Sequence, residues 1–506
     1  MQKAKVLFIY PSPFRTTGLP IGIASLSAVL KKEGYQVKIF ETTFYPQVSQ
    51  SVSDIDVRAK RGMSKGIDNE DNLLIANTTL IEDDLMKLIL EYQPQIVGIS
   101  FLESVYAGSL KLLKCIKKQN KDIITVAGGV FTILAPETVI SEDSIDVICV
   151  GEGEIPFLEL CNCISNKKSF SNIHGLWVKN NGQIIKNIPA KLHLLDKLPH
   201  PDFTAFDYRM FYKPMQGKLY KMVTIETTRG CPYNCTYCAA PRLKDSFKEN
   251  KSGHYYRKRS VEKVIEQIHY QINRHSPDFI YFSSETFLAM PEEDFKYFVE
   301  EYKKINLPFW FQTRFETITR EKIKQLKEVG MYWLTLGIEH GNEEFRKRVL
   351  KRNTSNTQII EGVKILKEFD MGASLNNLMG LPFETRYLVF DTIRLNRQLY
   401  QMNNKLEFNI FMFTPFKGCN LYDICVKNAL IEDSPYIDVT NITNETLLNF
   451  SPELKKEFKG LIKTFNLYIK LPEKYEHQIR IAERDDDEGK VMYDKLLNSI
   501  TSQSVN

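Results

Sequence analysis

The sequence predicts an α/β protein: an N-terminal flavodoxin-like Rossmann domain, then a partial (β/α)6 barrel, then a mainly helical C-terminal region. Three observations predict it. Short apolar runs alternate with apolar residues at helical spacing from about residue 6 to 150, the alternation resumes near residue 222 and continues to 413, and beyond 431 only helical spacing remains. The chain has 506 residues, too many for one ordinary domain, and its 43% hydrophobic content can fill several cores. The expected divisions are residues 1–165 for the first domain, 166–215 for a linker, 216–430 for the barrel and 431–506 for the tail.

In the first series, residues 6–10 form an apolar run, and Ile23, Leu26 and Leu30 then recur at helical spacing up to Gly34, a helix stop. Residues 36–42 read as the next strand. A polar stretch, 49–77, precedes a helix with Ile81, Leu85, Leu88 and Ile89 on one face. Strands follow at 96–101, 123–127 and 145–150, the first two separated by a helix carrying Val105, Leu112 and Ile116. Such alternation implies a parallel sheet with its ligand at the carboxyl ends of the strands, where the loops 11–22, 100–104, 128–135 and 151–154 lie. Four prolines between 166 and 215 suit a linker, with a small hairpin at Asn180-Asn181-Gly182. The second series places strands at 222–227, 279–282, 309–313, 333–338, 372–379 and 408–413. Six β/α units make a partial barrel whose active face is at the strand C-termini. The acidic run 485–488 reads as a solvated turn.

Composition narrows the function. Lys and Arg number 67 against 62 Asp and Glu, a net charge of +5 with the signs interspersed, which gives no ground for a nucleic-acid partner. No apolar run approaches the roughly 18 to 20 residues of a membrane span, and the start carries only one short apolar stretch, so a cytoplasmic protein without a signal peptide is expected. Nine cysteines, an odd count with three clustered, favour metal binding over a disulfide framework. Cys115, Cys149, Cys161, Cys163, Cys419 and Cys425 read as small buried apolar residues, with Cys419 far from the cluster of three.

That cluster lies in Thr227-Thr228-Arg229-Gly230-Cys231-Pro232-Tyr233-Asn234-Cys235-Thr236-Tyr237-Cys238, directly after the first barrel strand. Soft thiolates suit iron-sulfur clusters or zinc. Three thiols spaced by three and then two residues can ligate three irons of a cubane and leave the fourth open. A structural zinc site wants a fourth ligand nearby, and the next candidate, His254, sits in a basic loop.

The spacing, the Gly-Cys-Pro start and the aromatic before the last Cys resemble the radical S-adenosylmethionine (SAM) superfamily. The resemblance implies a 4Fe-4S cluster on Cys231, Cys235 and Cys238 whose open iron chelates SAM, and reductive cleavage of SAM to a 5′-deoxyadenosyl radical. It places Tyr237 against the adenine. Residues 282–287, Phe-Ser-Ser-Glu-Thr-Phe, match the end of the second strand, where relatives carry an acidic pair; only Glu285 is acidic here. Gln312-Thr313-Arg314 and Gly337-Ile338-Glu339-His340-Gly341 match later strand ends. By the resemblance Arg314 pairs with the SAM carboxylate, Glu339 with a ribose hydroxyl, and Gln312 lies in the same site. Gly380-Leu381-Pro382-Phe383-Glu384-Thr385 matches the loop that approaches the adenine.

The loops of the first domain resemble the cobalamin-binding domain found ahead of such barrels. The candidate contacts are Pro13, Gly18 and Gly22, then Ser100, Glu103, Gly128, Gly129, Val130 and Thr132, and finally Gly151 and Glu152. Glycines there let the backbone approach a bulky ligand. No His precedes His174, so the Asp-x-His-x-x-Gly loop that ligates cobalt in many cobalamin proteins is missing. The dimethylbenzimidazole tail is therefore expected to lie buried, with no protein imidazole on the metal. The stretch 465–472 also resembles the tails of these proteins.

Together the resemblances imply a cobalamin-dependent radical SAM methyltransferase acting on an unactivated carbon of a small-molecule or natural-product substrate. One SAM methylates cob(I)alamin and another supplies the radical, with electrons from a donor such as flavodoxin or ferredoxin. An oxidative cyclisation or rearrangement, as in the cyclase of anaerobic bacteriochlorophyll synthesis, uses the same parts. A transfer-RNA methylthiotransferase needs three suitably placed N-terminal cysteines, which this chain lacks, and a non-catalytic cobalamin sensor has no use for the cluster motif.

Overall fold

The computed structural model describes residues 3–48, 55–67, 72–438 and 445–502. The first sheet is built from β1 (Val6–Tyr10), β2 (Val37–Glu41), β3 (Ile96–Ser100), β4 (Ile124–Gly128) and β5 (Val147–Cys149), parallel in the order β2-β1-β3-β4-β5. This is the flavodoxin-like order, and the crevice at its switch point lies between β1 and β3. β1, β3, β4 and β5 are almost wholly buried because helices cover both faces, and β2 is the half-exposed edge. Part of the polar stretch 49–77 lies outside the described residues; Ile55–Lys60 within it is a short helix.

Residues 166–215 do more than link the domains. The hairpin at Asn180-Asn181-Gly182 forms β6 (Leu176–Asn180) and β7 (Gln183–Lys186), and β6 pairs antiparallel with β5, so the first sheet runs on to seven strands. β8 (Tyr212–Met215) pairs antiparallel with β9 (Lys218–Glu226) and starts the second sheet. β7 and β8 are edge strands, and Pro214 lies in β8, where a missing N–H is tolerated.

β10 (Thr228–Arg229) and β11 (Arg257–Lys258) form a short antiparallel pair that staples the base of the cysteine loop. The barrel continues with β12 (Phe279–Ser283), β13 (Phe309–Thr313), β14 (Met331–Glu339), β15 (Ser374–Met379) and β16 (Glu407–Met412). With β9 these are the six parallel strands expected from the sequence, in the order β16-β15-β14-β13-β12-β9, with β8 as a seventh at the open edge. Alternation sorts their side chains: Phe309, Phe311, Leu334 and Leu336 point to the helices and are fully buried, whereas Trp310, Gln312, Thr335 and Asn376 line the lumen. The outer helices begin where the sequence supplies caps. Ser260 accepts from the Lys263 amide at the start of Val261–His275, and Ser355 and Gln358 close a capping box on Asn356–Glu368.

The barrel is half open between β8 and β16. Gln216 Nε2 donates to Glu407 Oε1 at 2.8 Å across that gap, and residues 58–62 of the N-terminal domain fill it. Arg58 donates to Asn409 Oδ1 at 3.2 Å, while Asn466 and Lys470 of the C-terminal helix Pro452–Lys470 donate to the carbonyls of Arg61 and Gly62. The stretch 465–472 is thus chiefly a packing helix, nearly every residue of it buried. Glu103 makes a second clasp: its carboxylate accepts from the Lys417 and Ile437 amides at 2.8 and 2.6 Å. The expectation that Glu103 faces a corrin is therefore corrected, because both its oxygens are used in holding two C-terminal loops.

Candidate functional site: two cavities meeting at a charged seam

The N-terminal cavity, about 300 Å³, opens at the switch point of the first sheet. Its floor is apolar, made by Phe8, Ile23, Leu26, Val126 and Phe157, and Gly22, Gly128, Gly129, Gly151 and Gly153 line it with Ser100. Two glycines are demanded by the geometry. Gly129 has φ +98°, and a Cβ there would stand 2.5 Å from the Phe101 carbonyl oxygen; a Cβ on Gly98 would stand 2.7 Å from the Phe8 ring. Val130 and Thr132 lie on the short helix Val130–Leu134 beside it, and Thr132 Oγ1 is buried with no hydrogen-bond partner among the described residues. A slot of this size with an apolar floor and a glycine rim fits a flat aromatic base, such as the tail of a corrinoid. No histidine lines it. Pro13 and Gly18 lie elsewhere, on the loop after β1 that turns toward the barrel, where the position of a Gly18 Cβ is 3.8 Å from Lys213 Nζ.

The second cavity, about 350 Å³, lies at the C-terminal ends of β9 and β12 and is lined by Gly230, Phe247, Tyr255, Tyr281, Ser284, Glu285 and Gln312. The three cysteines occupy the loop beside it, Cys235 buried and Cys231 and Cys238 half-buried. Among the described residues, no three Cys, His, Asp or Glu side chains converge on a point that one metal ion could occupy. Thiols that each bind a different iron of a cubane need no such convergence, whereas a tetrahedral zinc site does. Burial raises the Cys231 and Cys238 thiols, the latter to about 12, and the nearby Glu285 carboxylate adds to both shifts. Binding to metal is what would ionise them. Glu285 itself is raised by burial and reaches the cavity without a protein partner that shifts it.

Arg314 lies against the cluster loop. Its guanidinium stacks 3.8 Å from the Tyr233 ring centre, donates to Cys235 Sγ at 3.3 Å and pairs with Glu316 at 2.6 Å. These contacts fix the loop, while Arg314 Nε is buried with no hydrogen-bond partner among the described residues. Glu339 is buried at φ +66°, 3.7 Å from Arg352, whose Nη1 donates to the Tyr237 hydroxyl at 3.5 Å. A non-glycine residue in this backbone region at a strand end is strained, a common mark of a binding site. Gln312 donates to the Tyr281 hydroxyl at 2.6 Å and lines both this cavity and the barrel lumen. Cys419, expected far from the motif, lies beside it: the Leu421 amide donates to the Thr236 carbonyl, and Cys238 contributes to the raised pKa of the Cys419 thiol, after burial as the main cause.

The two cavities share Glu152, Glu226, Arg229 and Ser283. Sequence reasoning missed what these residues do. Arg229 bonds Glu154 and Glu226 at 2.7 Å each and Glu152 at 3.4 Å. Arg257 closes on Glu152, and Arg259 reaches Glu226 at 3.1 Å. Three carboxylates and three guanidiniums thus form a branched network centred on Arg229 across the domain seam. Glu152, expected on the cofactor, lines both cavities and is held by two arginines. Burial alone would raise the Glu154 carboxyl, but the adjoining Arg229 holds it below the usual range. The available signal was the Arg229, Arg257 and Arg259 set flanking the cysteine loop, paired with the Glu-Gly-Glu turn at 152–154.

Known proteins agree with this organisation. Residues 225–395 match the radical SAM superfamily and residues 12–161 the B12 binding domain. An uncharacterised methyltransferase of Pyrococcus horikoshii is 26% identical over 448 residues, covering 85% of each chain. The anaerobic magnesium-protoporphyrin IX monomethyl ester cyclase of Rubrivivax gelatinosus is 26% identical over 356 residues, 68% of this chain and 60% of that one. The fold is shared with the radical S-adenosylmethionine methyltransferase TsrM of Kitasatospora setae, solved with cobalamin and a 4Fe-4S cluster bound, at a TM-score of 0.64 over the whole of both chains and 13% identity.

Proposed function

This chain belongs to the cobalamin-dependent radical SAM enzymes, and we propose that it transfers a methyl group to an unactivated carbon of a small-molecule or natural-product substrate. The observation that carries this reading is the meeting of the two cavities at Glu152, Glu226, Arg229 and Ser283, which puts a corrinoid pocket and a cluster loop on one enclosed space. When bound, the cluster and SAM supply a 5′-deoxyadenosyl radical and cobalamin supplies a methyl carrier. The chain's own residues hold and enclose. Cys231, Cys235 and Cys238 would ligate the cluster, with Arg314 and Tyr233 fixing their loop. Tyr237, Glu339, Glu285 and Gln312 would hold SAM, and Ser100, Gly22, Gly128, Gly129, Val130, Thr132 and Gly151 would cradle the corrinoid. Among the described residues no helix is long and apolar enough to cross a membrane, and we place the enzyme in the cytoplasm, taking electrons from a flavodoxin or ferredoxin.

The test is anaerobic incubation of cluster-reconstituted, cobalamin-loaded protein with methyl-deuterated SAM, reductant and host extract, read by mass spectrometry. A product that gains the deuterated methyl group is expected. The resemblance to the cyclase keeps oxidative cyclisation as a second reading, and a product that loses hydrogen without gaining the label would establish it in place of methyl transfer.

The histidine-free pocket makes a separate prediction. With no histidine lining the pocket, bound cobalamin would have no protein imidazole on its cobalt from this pocket and would keep its own tail buried there. Electron paramagnetic resonance of the Co(II) form should therefore show no nitrogen superhyperfine splitting. Splitting from nitrogen, whether of a histidine or of the cofactor's base, would refute this mode.

A further inference from the structure

The barrel lumen is a cavity of about 270 Å³ whose chemistry the cluster and corrinoid pockets leave unused. Its strand residues form a neutral hydrogen-bonded lining: Trp310 donates to Thr335 Oγ1 and Trp333 to Ser374 Oγ, both at 2.9 Å, and Asn409 donates to Asn376. Its charges come from elsewhere. Lys213 enters from β8, Arg58 from the short helix Ile55–Lys60, Arg15 from the loop after β1, and Lys65 from the segment that fills the open edge. Arg15 has a counter-ion in Asp56, and among the described residues lining the lumen the one carboxylate is Glu407, already hydrogen-bonded to Gln216 and Ser374.

Lys213 has no carboxylate within ion-pair distance among the described residues. Its ammonium lies 4.9 and 5.4 Å from the ring centres of Trp310 and Tyr281, which are themselves stacked at 4.2 Å. Burial first, then the charge of Arg58, pushes its pKa down to about 8, as expected of a cation enclosed without a counter-ion. Arg58 Nε is buried with no hydrogen-bond partner among the described residues, and its charge is met in the lumen by Glu407 without an ion pair between them. Lys213 without a carboxylate within ion-pair distance among the described residues, and Arg58 with only part of its hydrogen-bonding capacity used, leave an enclosed positive region beside a stacked aromatic pair that an incoming anion relieves.

We propose that the lumen receives the substrate and that Lys213 and Arg58 form its anion subsite, so that the substrate carries an oxyanion group, such as a phosphate, phosphonate or carboxylate, next to a flat moiety that packs on Trp310 and Tyr281. This rests on the proposed methyl transfer only in taking the lumen as the place of the substrate. Gln312, common to the lumen and the cluster cavity, lies on the path by which the far end of that molecule reaches the chemistry.

The test uses the full-length reconstituted protein and benzenesulfonate, whose charge is constant over the working pH range, with neutral benzamide as control. Binding is read by titration calorimetry and by the fluorescence of Trp310 and Trp333. Saturable binding of the sulfonate is expected, at least about tenfold tighter than the amide, the size of one charge-assisted contact. Lys213→Met and Arg58→Gln should each weaken it about tenfold or more, and Lys213→Arg should retain it. Melting temperature and iron content, measured for each variant, separate lost binding from lost folding. Absence of sulfonate binding, equal binding of the amide, or undiminished binding by well-folded Lys213→Met and Arg58→Gln would each overturn the subsite. Because nothing here requires turnover, a failure of methyl transfer leaves this result standing, and the reverse also holds.

Discussion

Replacing any one of Cys231, Cys235 or Cys238 with alanine is expected to abolish both cluster binding and formation of 5′-deoxyadenosine from SAM under reducing conditions. Each change removes one of only three thiolates, and the loop offers no substitute. Glu285 is the nearest acidic side chain acting on these thiols, and a single carboxylate with a raised pKa is a poor replacement for a soft ligand. Iron and sulfide analysis together with the SAM-cleavage assay measure the effect, and a variant that kept a full cluster and its cleavage activity would refute the ligand set. Cys419→Ala is the demanding control, since Cys419 lies beside the loop at the start of the helix Asn420–Lys427. It is expected to keep its iron, and loss of iron there would add Cys419 to the site.

The second large effect belongs to the charged seam. Arg229→Met removes the guanidinium shared by Glu152, Glu154 and Glu226, leaving Glu154 with the Ser25 hydroxyl at 2.9 Å and a backbone amide but no cation. Breaking a buried pair from one side is expected to destabilise the fold by about 3–5 kcal/mol, measured by urea unfolding. Adding Glu154→Gln removes one stranded charge and should recover part of the loss. A change of less than about 1 kcal/mol in the single variant would mean that the network is solvated and contributes little. The pH dependence has a definite sign. The Glu154 carboxyl is depressed in the folded protein, so its stabilisation is fully present above the ordinary value of 4.5 and is lost as pH falls through the folded value. In Arg229→Met this acid-linked loss should shrink.

Most strands were legible because apolar periodicity is a local property. β1, β3, β13 and β16 fall within a residue or two of their expected bounds. What escaped were elements whose reason for existing is not local. β8 read as linker, and the hairpin at Asn180-Asn181-Gly182, though expected, gave no sign that it extends the first sheet, because the pairing partners β9 and β5 decide both. The site divides the same way. The cysteine loop and the glycine rim carry their chemistry in contiguous residues. Glu103, in contrast, read as a ligand contact because it follows a sheet strand, and only the return of the chain 314 and 334 residues later gives its carboxylate the amides it holds. Arg314 was placed in the right neighbourhood, and its contacts with Tyr233 and Glu316, brought to it by folding, could not be read from the sequence. Lys213 and Arg58, 155 positions apart in the chain, have nothing in their own surroundings that announces a shared cavity.

The Glu103 clasp also bears on the order of events during synthesis. The amides that close it belong to Lys417 and Ile437, so at a translation rate of roughly 5–20 residues per second the finished Rossmann domain waits on the order of 15 to 60 seconds before they exist. Until the barrel strands that follow have been made and have closed over them, the carboxyl ends of β1, β3 and β4 face solvent. A cofactor as large as a corrinoid has open access to the nascent chain and a closing door afterwards, which makes co-translational supply of cobalamin a natural route to the loaded enzyme.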